Sequence, residues 1–313
     1  MRALAILALA LAASPAAAGE RMAVGVTVSY RSPVEVDRIA DLGFRYVRTD
    51  LAWSEVEQAP GVYRFDRYDA LLDALARRGM AAVLVLAYGN DLHGGGPPRT
   101  PEARRAFARF AAAAATRFSG RGVLWQIWNE PNLWQYWEPA PDPAEYVALV
   151  TETAGAIRAA DPRAYVIGPA TGGPDFDLTF LEDVFRLGLI DSLDAVSVHP
   201  FGAAYPEAAE PFYDSVRALI RRHSPARVVP LICGEWGYSI PDQDLQAQYL
   251  VRSLDVNERA GIPLTLWYSW QDDGFQYFGL IDAQHRPKKA LFAARDWLQP
   301  REGRSARGRP PRP

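Results

Sequence analysis

The chain has 313 residues, of which 49% are hydrophobic and 23% are charged, and its formal net charge is -3. This composition excludes a largely disordered chain, and the small net charge excludes the strong positive field that gathers nucleic acid. The length is sufficient for one substantial hydrophobic core. We therefore expect a globular protein with no nucleic-acid partner, whose ligand is neutral or weakly charged.

The N-terminus is typical of a secretory signal peptide. Met1-Arg2 supplies a positive charge, Ala3–Ala13 is an apolar run, and small residues up to Ala18 form a cleavage site. We expect cleavage after Ala18, which predicts a secreted or periplasmic protein without an integral membrane segment. An uncleaved N-terminal anchor is the alternative.

Short apolar runs and longer amphipathic stretches alternate from about residue 22 to residue 297. The runs are continuous rather than alternating, which is typical of parallel strands that helices cover on both faces. Eight runs predict strands, at Ala23–Val28, Phe44–Arg48, Ala81–Ala87, Val123–Trp128, Ala164–Ile167, Ala195–His199, Val228–Cys233 and Leu264–Tyr268. Amphipathic patterns predict helices at Tyr68–Arg78, Pro101–Phe118, Pro143–Ala160, Phe180–Leu187, Phe212–His223 and Gln243–Ala260.

Eight strand-helix units of this size favour an α/β fold of the (β/α)8 TIM barrel type, in a single domain over residues 19–300. A doubly wound open sheet is the alternative, but its glycine-rich turn after the first strand is lacking. Residues 301–313 form a basic tail without apolar anchors, which predicts disorder. The oligomeric state cannot be predicted from these patterns.

Two glutamates follow two of the predicted strands. Glu130 lies in Trp-Asn-Glu-Pro after the fourth strand, and Glu235 lies in Gly-Glu-Trp after the seventh. In a barrel the carboxyl ends of the strands build the site, so both side chains are expected at the same mouth. A pair of carboxyl groups is the equipment for splitting a glycosidic bond, because one protonates the leaving oxygen while the other attacks the sugar.

These motifs resemble clan A of the glycoside hydrolases, the retaining barrels whose catalytic residues follow strands four and seven. The segments Val47–Trp53 and Gly61–Asp66 are similar to families 39 and 5 of that clan, which include cellulase-like and xylosidase-like enzymes. The resemblance covers nearly the whole chain between the predicted signal and the tail. It implies Glu130 as general acid and Glu235 as nucleophile, acting by double displacement on a β-linked poly- or oligosaccharide.

The resemblance also implies several substrate-binding residues. Asn129 matches the residue that hydrogen-bonds the sugar 2-hydroxyl, and Arg48 matches an arginine that keeps the nucleophile ionised. His199 matches a histidine that contacts the nucleophile or the substrate. A tyrosine is common two residues after that histidine, but Phe201 stands here, so its hydroxyl would have to come from Tyr205 or Tyr238.

Aromatic residues complete the expected site. Trp267 matches the ring under the sugar at the cleavage point, and Trp270 is the competing choice because the strand end is uncertain. The loop that carries Trp134, Tyr136 and Trp137 predicts a platform for sugar stacking, with a loop packed into the barrel rim as the alternative. Polar residues that follow other strands are further candidates for binding hydroxyls, namely Tyr88, Asn90, Asp91 and Asp273.

No metal or other cofactor is expected, because the four histidines are scattered along the chain and do not form a ligand pattern. The sequence therefore predicts a retaining O-glycosyl hydrolase whose partner is its saccharide substrate. The alternative is a barrel of the same fold that binds carbohydrate without cleaving it. Neither the monosaccharide nor its linkage can be predicted from these residues.

Overall fold

The computed structural model describes residues 21–29, 34–173 and 178–299. The predicted signal peptide at residues 1–18, the boundaries predicted at residues 19 and 300, and the predicted tail at residues 301–313 lie outside the described residues. Within the described ranges, no helix has both the length and the apolar character that a membrane crossing requires.

Eight parallel strands close into one barrel in which each strand pairs with its neighbours in the chain and the last strand pairs with the first. This confirms the predicted (β/α)8 barrel and excludes the open doubly wound sheet. The strands are β1 Ala23–Thr27, β2 Tyr46–Ala52, β3 Ala81–Ala87, β4 Val123–Ile127, β5 Tyr165–Thr171, β6 Ala195–Val198, β7 Leu231–Trp236 and β8 Leu264–Trp267.

Helices follow the strands and surround the barrel. Several begin at residues that satisfy the free N–H groups of a first turn: the side chains of Thr100, Asp142 and Asp242 accept from those N–H groups, and proline follows the first two. The helices that cover the barrel are α1 Val34–Asp41, α2 Asp66–Arg77, α3 Pro101–Phe118, α4 Pro143–Ala160, α5 Thr179–Arg186, α6 Ala209–His223, α7 Gln243–Arg259 and α8 Lys289–Leu298, and a single short turn of helix at Trp53–Val56 follows β2.

The strands separate two apolar cores. Alternate residues of each strand face opposite sides of the sheet, and one set fills the barrel interior while the other packs under the helices. The interior set contains Tyr46, Ala81, Val83, Leu124, Tyr165, Ile167, Ala195, Ile232, Leu264 and Leu266. The outer set includes Val47, Leu51, Trp125, Ile127, Val196, Val198, Cys233 and Trp267. This alternation decides which side chains reach the mouth of the barrel.

The predicted strands are all found, but three of them lie further along the chain than the apolar runs indicate. β2 continues to Ala52 although the apolar run ends at Arg48, β5 continues to Thr171, and β7 begins at Leu231 and continues to Trp236. In β2 and β7 the reason is that polar residues belong to the strands themselves, where Arg48, Asp50 and Glu235 face inward. In β5 the strand continues through Gly168 and Pro169, residues that are typical of turns in a sequence.

Candidate active site

Arg48 lies on the inward face of β2 and organises the mouth of the barrel. Its side chain is 2% exposed. Its Nη2 donates to Asn129 Oδ1 at 2.7 Å, its Nε donates to Gln126 Oε1 at 3.2 Å, and its Nη1 forms an ion pair with Glu235 Oε1. One guanidinium therefore joins side chains from β2, β4 and β7.

Asn129 is oriented by this network. Its Oδ1 accepts from both Arg48 and Gln126, and Gln126 is itself held because its Nε2 also donates to the Trp128 carbonyl at 2.9 Å. Because arginine only donates hydrogen bonds, the amide oxygen must face it. The Asn129 Nδ2 group is then left as a donor for a hydroxyl at the mouth, as the predicted role requires.

A change in backbone conformation after β4 turns Glu130 into the mouth. Trp128 and Glu130 have φ angles of 65° and 45°, in the left-handed region that residues other than glycine rarely adopt. Trp128 packs outward against Phe107 of α3, whereas Glu130 points inward. A methyl group at Gly172, after β5, would overlap the Glu130 carboxyl, so this position must lack a side chain. Strain of this kind is common at functional sites.

A bulge near the end of β7 places Glu235. Cys233 and Trp236 both pack in the outer core although two residues, Gly234 and Glu235, lie between them. The pairing of β7 with β8 shifts register over the same segment. An extra residue in a strand re-aims the side chains that follow it. Here it turns Glu235 inward, toward Arg48, instead of outward as strict alternation would require.

The two glutamates meet at one point together with His199. An oxygen of Glu130, an oxygen of Glu235 and a ring nitrogen of His199 all lie within 4.8 Å of one another, and all three side chains are buried. His199 Nδ1 lies 2.8 Å from Glu130 Oε1. The expected meeting of strand-four, strand-six and strand-seven residues is thus what the structure shows.

The surroundings of Glu235 have opposing effects on the pKa of its carboxyl group. Burial raises the pKa of the Glu235 carboxyl, Arg48 and then His199 lower it, and Glu130 and Asp50 add to the rise. Ionisation of Glu235 in this buried position therefore depends on Arg48. Glu130 contacts His199 instead, whose ring nitrogen can either accept a proton from the carboxyl group or donate one to it. The two carboxyl groups thus have different partners.

Glu130, His199 and Glu235 are also the described residues whose ligand atoms could surround a metal ion. Arg48, however, already supplies positive charge directly to Glu235 Oε1. A cation there would be repelled by the adjacent guanidinium. The arrangement is better suited to proton transfer and nucleophilic attack than to coordination.

Tyr268, and neither predicted tryptophan, presents its ring to the mouth. Trp267 and Trp270 are each 1% exposed. Trp267 packs in the outer core, and its Nε1 donates to the Phe278 carbonyl at 3.3 Å; Trp270 lies under Arg38 of α1. Leu264 and Leu266 of β8 face inward, so Tyr268 follows them on the same side and is partly exposed. The aromatic ring at this part of the mouth is therefore that of Tyr268 and not that of Trp267.

The predicted aromatic platform divides into two parts. Trp134 is 65% exposed, whereas Trp137 is fully buried, with its ring edge-on to Trp128 and its Nε1 donating to Glu145 Oε2 at 3.2 Å. Trp137 is thus packed structure of the barrel rim, as the alternative reading held. Tyr136 stacks on Tyr88 with centroids 5.7 Å apart, and both rings lie close to the charges of the mouth.

Neither tyrosine proposed to replace the missing hydroxyl reaches Glu235 in a hydrogen bond. Tyr205 is 51% exposed on the loop after β6. Tyr238 packs against Trp236 and Tyr249. The hydroxyl of Tyr268, in contrast, interacts electrostatically with Glu235. Burial, and then the charge of Glu235, raise the pKa of this hydroxyl to about 12. Phe201 packs edge-on against both His199 and Tyr268.

Of three other loop-end candidates, two have structural partners and the third is exposed. Asn90 is 4% exposed, donates to the Glu57 carbonyl at 2.8 Å and accepts from Leu92 N–H at 3.0 Å. Asp273 accepts from two N–H groups of its own loop, and Asp91 is exposed. Residues of the mouth to which the sequence analysis gave no role are Asp50, Gln126 and Tyr268. Inward-facing side chains recur every second residue along β2, β4 and β8, and this spacing is the sequence signal that indicates these three positions.

The chain matches known glycoside hydrolases. Residues 28–273 match the family model described as cellulase, glycosyl hydrolase family 5. A β-xylosidase of Geobacillus stearothermophilus is 30% identical over 214 residues, which are 55% of this chain and 40% of that protein. A family 39 glycoside hydrolase of Bacteroides cellulosilyticus WH2 has a TM-score of 0.77 and 26% identity, over 89% of this chain and 64% of that one.

A family 39 β-xylosidase of Caulobacter crescentus is also similar, with a TM-score of 0.68 and 25% identity over 90% of this chain and 72% of that one. The chain therefore spans 40% of the length of the curated relative and about two thirds of the similar solved chains. The family match extends from the end of β1 to the loop after β8 and includes both glutamates. The chain belongs to the cellulase family, glycosyl hydrolase family 5.

Proposed function

We propose that this protein is a retaining O-glycosyl hydrolase that cleaves β-linked poly- or oligosaccharides by double displacement. The observation that carries the proposal is the approach of Glu130 and Glu235, which have oxygens within 4.8 Å of each other. Retaining glycosidases hold their carboxyl groups ~5–5.5 Å apart, whereas inverting enzymes need ~6.5–9.5 Å to fit a water molecule. The separation favours direct attack by one carboxylate.

The partners of the two carboxyl groups support different roles for them. Glu235 forms an ion pair with Arg48, which favours the ionised form that a nucleophile needs. Glu130 contacts His199 Nδ1 at 2.8 Å, and a histidine nitrogen can exchange a proton with it. In the first step Glu235 attacks the anomeric carbon while Glu130 gives its proton to the leaving oxygen. In the second step Glu130 takes a proton from water, which displaces Glu235 from the sugar.

Asn129 and Tyr268 would position the sugar. The free Nδ2 donor of Asn129 suits the 2-hydroxyl, a contact that strengthens as positive charge develops on the ring. Tyr268 offers an aromatic face beside Glu235. Because the curated relative is a β-xylosidase, aryl β-xylosides are the first substrates to test. The predicted signal peptide supports the further proposal that the enzyme acts outside the cytoplasm.

The nucleophile is tested by Glu235→Ala in the presence of azide. We expect turnover of an aryl β-glycoside to be abolished and partly restored by azide, with a glycosyl azide of inverted configuration as product, because the anion fills the vacated face. Glu130→Ala should still react with substrates that carry good leaving groups, and azide should then give the retained configuration. The measurement is NMR of the fresh products.

Three outcomes contradict this proposal in different ways. Inversion in the first product of the wild type excludes double displacement. Substantial activity in Glu235→Ala excludes Glu235 as nucleophile. Binding without cleavage across a panel of aryl glycosides and crude polysaccharides identifies the alternative, a barrel that binds carbohydrate only.

A further inference from the structure

Asp50 is a third carboxylate at the mouth, and the mechanism described above does not use it. Tyr46, Arg48 and Asp50 alternate along the inward face of β2, because Val47 and Leu51 between and beyond them pack in the outer core. Tyr46 belongs to the interior floor and Arg48 contacts Glu235. At ~3.3 Å per residue, Asp50 lies ~6–7 Å further toward the opening than Arg48.

The Asp50 carboxylate has no hydrogen bond from any residue within the described ranges, where only its backbone carbonyl accepts, from the Tyr68 hydroxyl at 3.0 Å. The side chain is accessible to solvent, yet burial among protein atoms is the first cause that raises its pKa. Asp50 is therefore the accessible carboxylate at the outer end of the inward-facing row of β2 that contains Tyr46 and Arg48.

Two neighbouring charges act on the Asp50 carboxyl in opposite directions. Arg48 lowers the pKa of its carboxyl, and Glu55 adds to the rise. In turn, the charge of Asp50 contributes to the raised pKa of Tyr88, Tyr136, Tyr68 and Glu235. Tyr88 and Tyr136 stack on each other, and Tyr88 follows the strand next to β2. Asp50 is thus close enough to act electrostatically on both this aromatic pair and the catalytic carboxyl group of Glu235.

We propose that Asp50 determines specificity by accepting a hydrogen bond from a hydroxyl, beyond carbon 2, of the sugar that Glu235 attacks. The inference rests on the proposed function, which places the anomeric carbon at Glu235 and the 2-hydroxyl at Asn129. The next hydroxyls around the ring then need acceptors at the same mouth. An ionised carboxylate is the strongest acceptor for a hydroxyl. Of the carboxylates Asp50, Glu130 and Glu235, Asp50 is the one with neither oxygen bonded to another described residue.

The test is a cycle that combines variants with modified substrates. Rates of hydrolysis are measured for an aryl β-xyloside and its 3-deoxy and 4-deoxy analogues, using the wild type, Asp50→Asn and Asp50→Ala. For the wild type, kcat/KM should fall about 10- to 100-fold when the hydroxyl bound by Asp50 is removed, as for a hydrogen bond to a charged group. In Asp50→Ala the same removal should have almost no further effect.

Glu55→Gln is the matched control. Glu55 is an exposed acidic residue whose charge adds to the raised pKa of Asp50, so the variant removes a nearby negative charge without changing Asp50 itself. It should keep the wild-type response to both deoxy substrates. A general loss of activity in Asp50→Ala that is equal for all three substrates overturns the proposal, because a hydroxyl contact must depend on the hydroxyl.

Thermal stability separates binding from a structural role. Some carboxyl groups have a higher pKa in the folded than in the unfolded protein. Such a group stabilises the fold at pH values below its unfolded pKa, and this contribution is lost as the pH rises through its folded pKa. Asp50→Asn should therefore keep or raise Tm at pH 7, and any gain should shrink as pH falls to about 4. A lower Tm at pH 7 for Asp50→Asn would show that the carboxylate supports the fold, and would overturn the proposal.

Calorimetry measures the affinity of the Glu235→Gln variant for xylobiose and for an aryl β-xyloside. It separates the proposed role of Asp50 from the proposed hydrolase activity, because binding is measured without cleavage. If the wild type cleaves neither compound but Glu235→Gln binds one of them, the hydrolase proposal fails while Asp50 is still tested. Affinity must then fall at least tenfold when Asp50→Ala is added and not when Glu55→Gln is added. Unchanged affinity, or no binding of either compound, overturns the role of Asp50.

Discussion

The floor and the mouth of the barrel are built from the same faces of the same strands, yet they differ completely in chemistry. On β2 the inward side chains change from Tyr46 to Arg48, and on β6 they change from Ala195 to Ser197 and then His199. The floor belongs to an apolar cluster. The mouth holds buried polar atoms, of which Ser197 Oγ and His199 Nε2 have no partner among the described residues.

The difference shows how one fold separates stability from catalysis. Burial of the floor stabilises the closed barrel, because each inward apolar side chain is removed from water. The polar groups of the mouth cost desolvation when they are buried without partners. Two residues further along a strand, the inward-facing side chain can change from apolar to polar. Substitutions at successive layers should therefore affect different properties.

Arg48→Met should give the largest effect, because it removes one partner of a buried ion pair. Such a change costs ~3–5 kcal/mol in stability. Without Arg48, the pKa of Glu235 should rise further, so the acidic limb of the pH dependence of kcat/KM should move to higher pH. The control is Arg45→Met, since Arg45 is exposed at the other end of the strand. A limb that stays in place would show that Arg48 does not control the ionisation of Glu235.

Trp137 and Trp134 test the same contrast on one loop. Trp137→Ala should lose ~3–5 kcal/mol of stability, as expected for a buried tryptophan. Trp134→Ala should change stability by less than about 0.5 kcal/mol, since the residue is exposed. If Trp134 stacks on a remote sugar, it should instead lower kcat/KM by the equivalent of ~1–2 kcal/mol for a long oligosaccharide and leave an aryl monoglycoside nearly unaffected.

Chemical denaturation and kinetics on both substrates measure these two effects separately. Equal losses of kcat/KM on the long and the short substrate for Trp134→Ala would exclude an extended platform. A stable Trp137→Ala would contradict the assignment of that ring to the rim of the barrel.

The smallest effect is expected for Tyr268→Phe, which keeps the ring and removes its hydroxyl. If the ring is what the sugar contacts, kcat/KM should fall by no more than about 2- to 10-fold, the value of one neutral hydrogen bond. Tyr268→Ala should lose considerably more activity, with Trp267→Phe as the comparison that changes stability instead. Equal activity of Tyr268→Ala and the wild type would show that Tyr268 is not the ring that contacts the sugar.

Sequence patterns predicted the order of the strands and the pair of glutamates because both depend on local signals. Continuous apolar runs mark parallel strands, and the motifs around Glu130 and Glu235 are short. The patterns were wrong about which aromatic residue of the eighth unit is exposed. Trp267 looked suitable by its type, but alternation from Leu264 and Leu266 directs Tyr268 inward and Trp267 outward.

Other parts of the site depend on geometry that no local pattern specifies. The bulge that turns Glu235 inward arises from the pairing of β7 with β8. The orientation of Glu130 requires left-handed backbone at two residues that are not glycine. Asp50 received no role from the sequence because a charged residue after an apolar run is typical of a loop, whereas β2 continues past it. These features appear only when the strands are assembled.

Arg48, which bonds to Asn129, Gln126 and Glu235 together, has a consequence for the covalent intermediate of the proposed mechanism. When Glu235 forms an ester with the sugar, its negative charge disappears and the guanidinium keeps the two amide oxygens. Glu130 has by then given its proton to the leaving oxygen, so the negative charge passes to the neighbouring carboxyl group. Release of the sugar restores the ion pair. The contact proposed between Asn129 and the 2-hydroxyl should therefore persist through both steps, because Arg48 orients Asn129 whether or not Glu235 is charged.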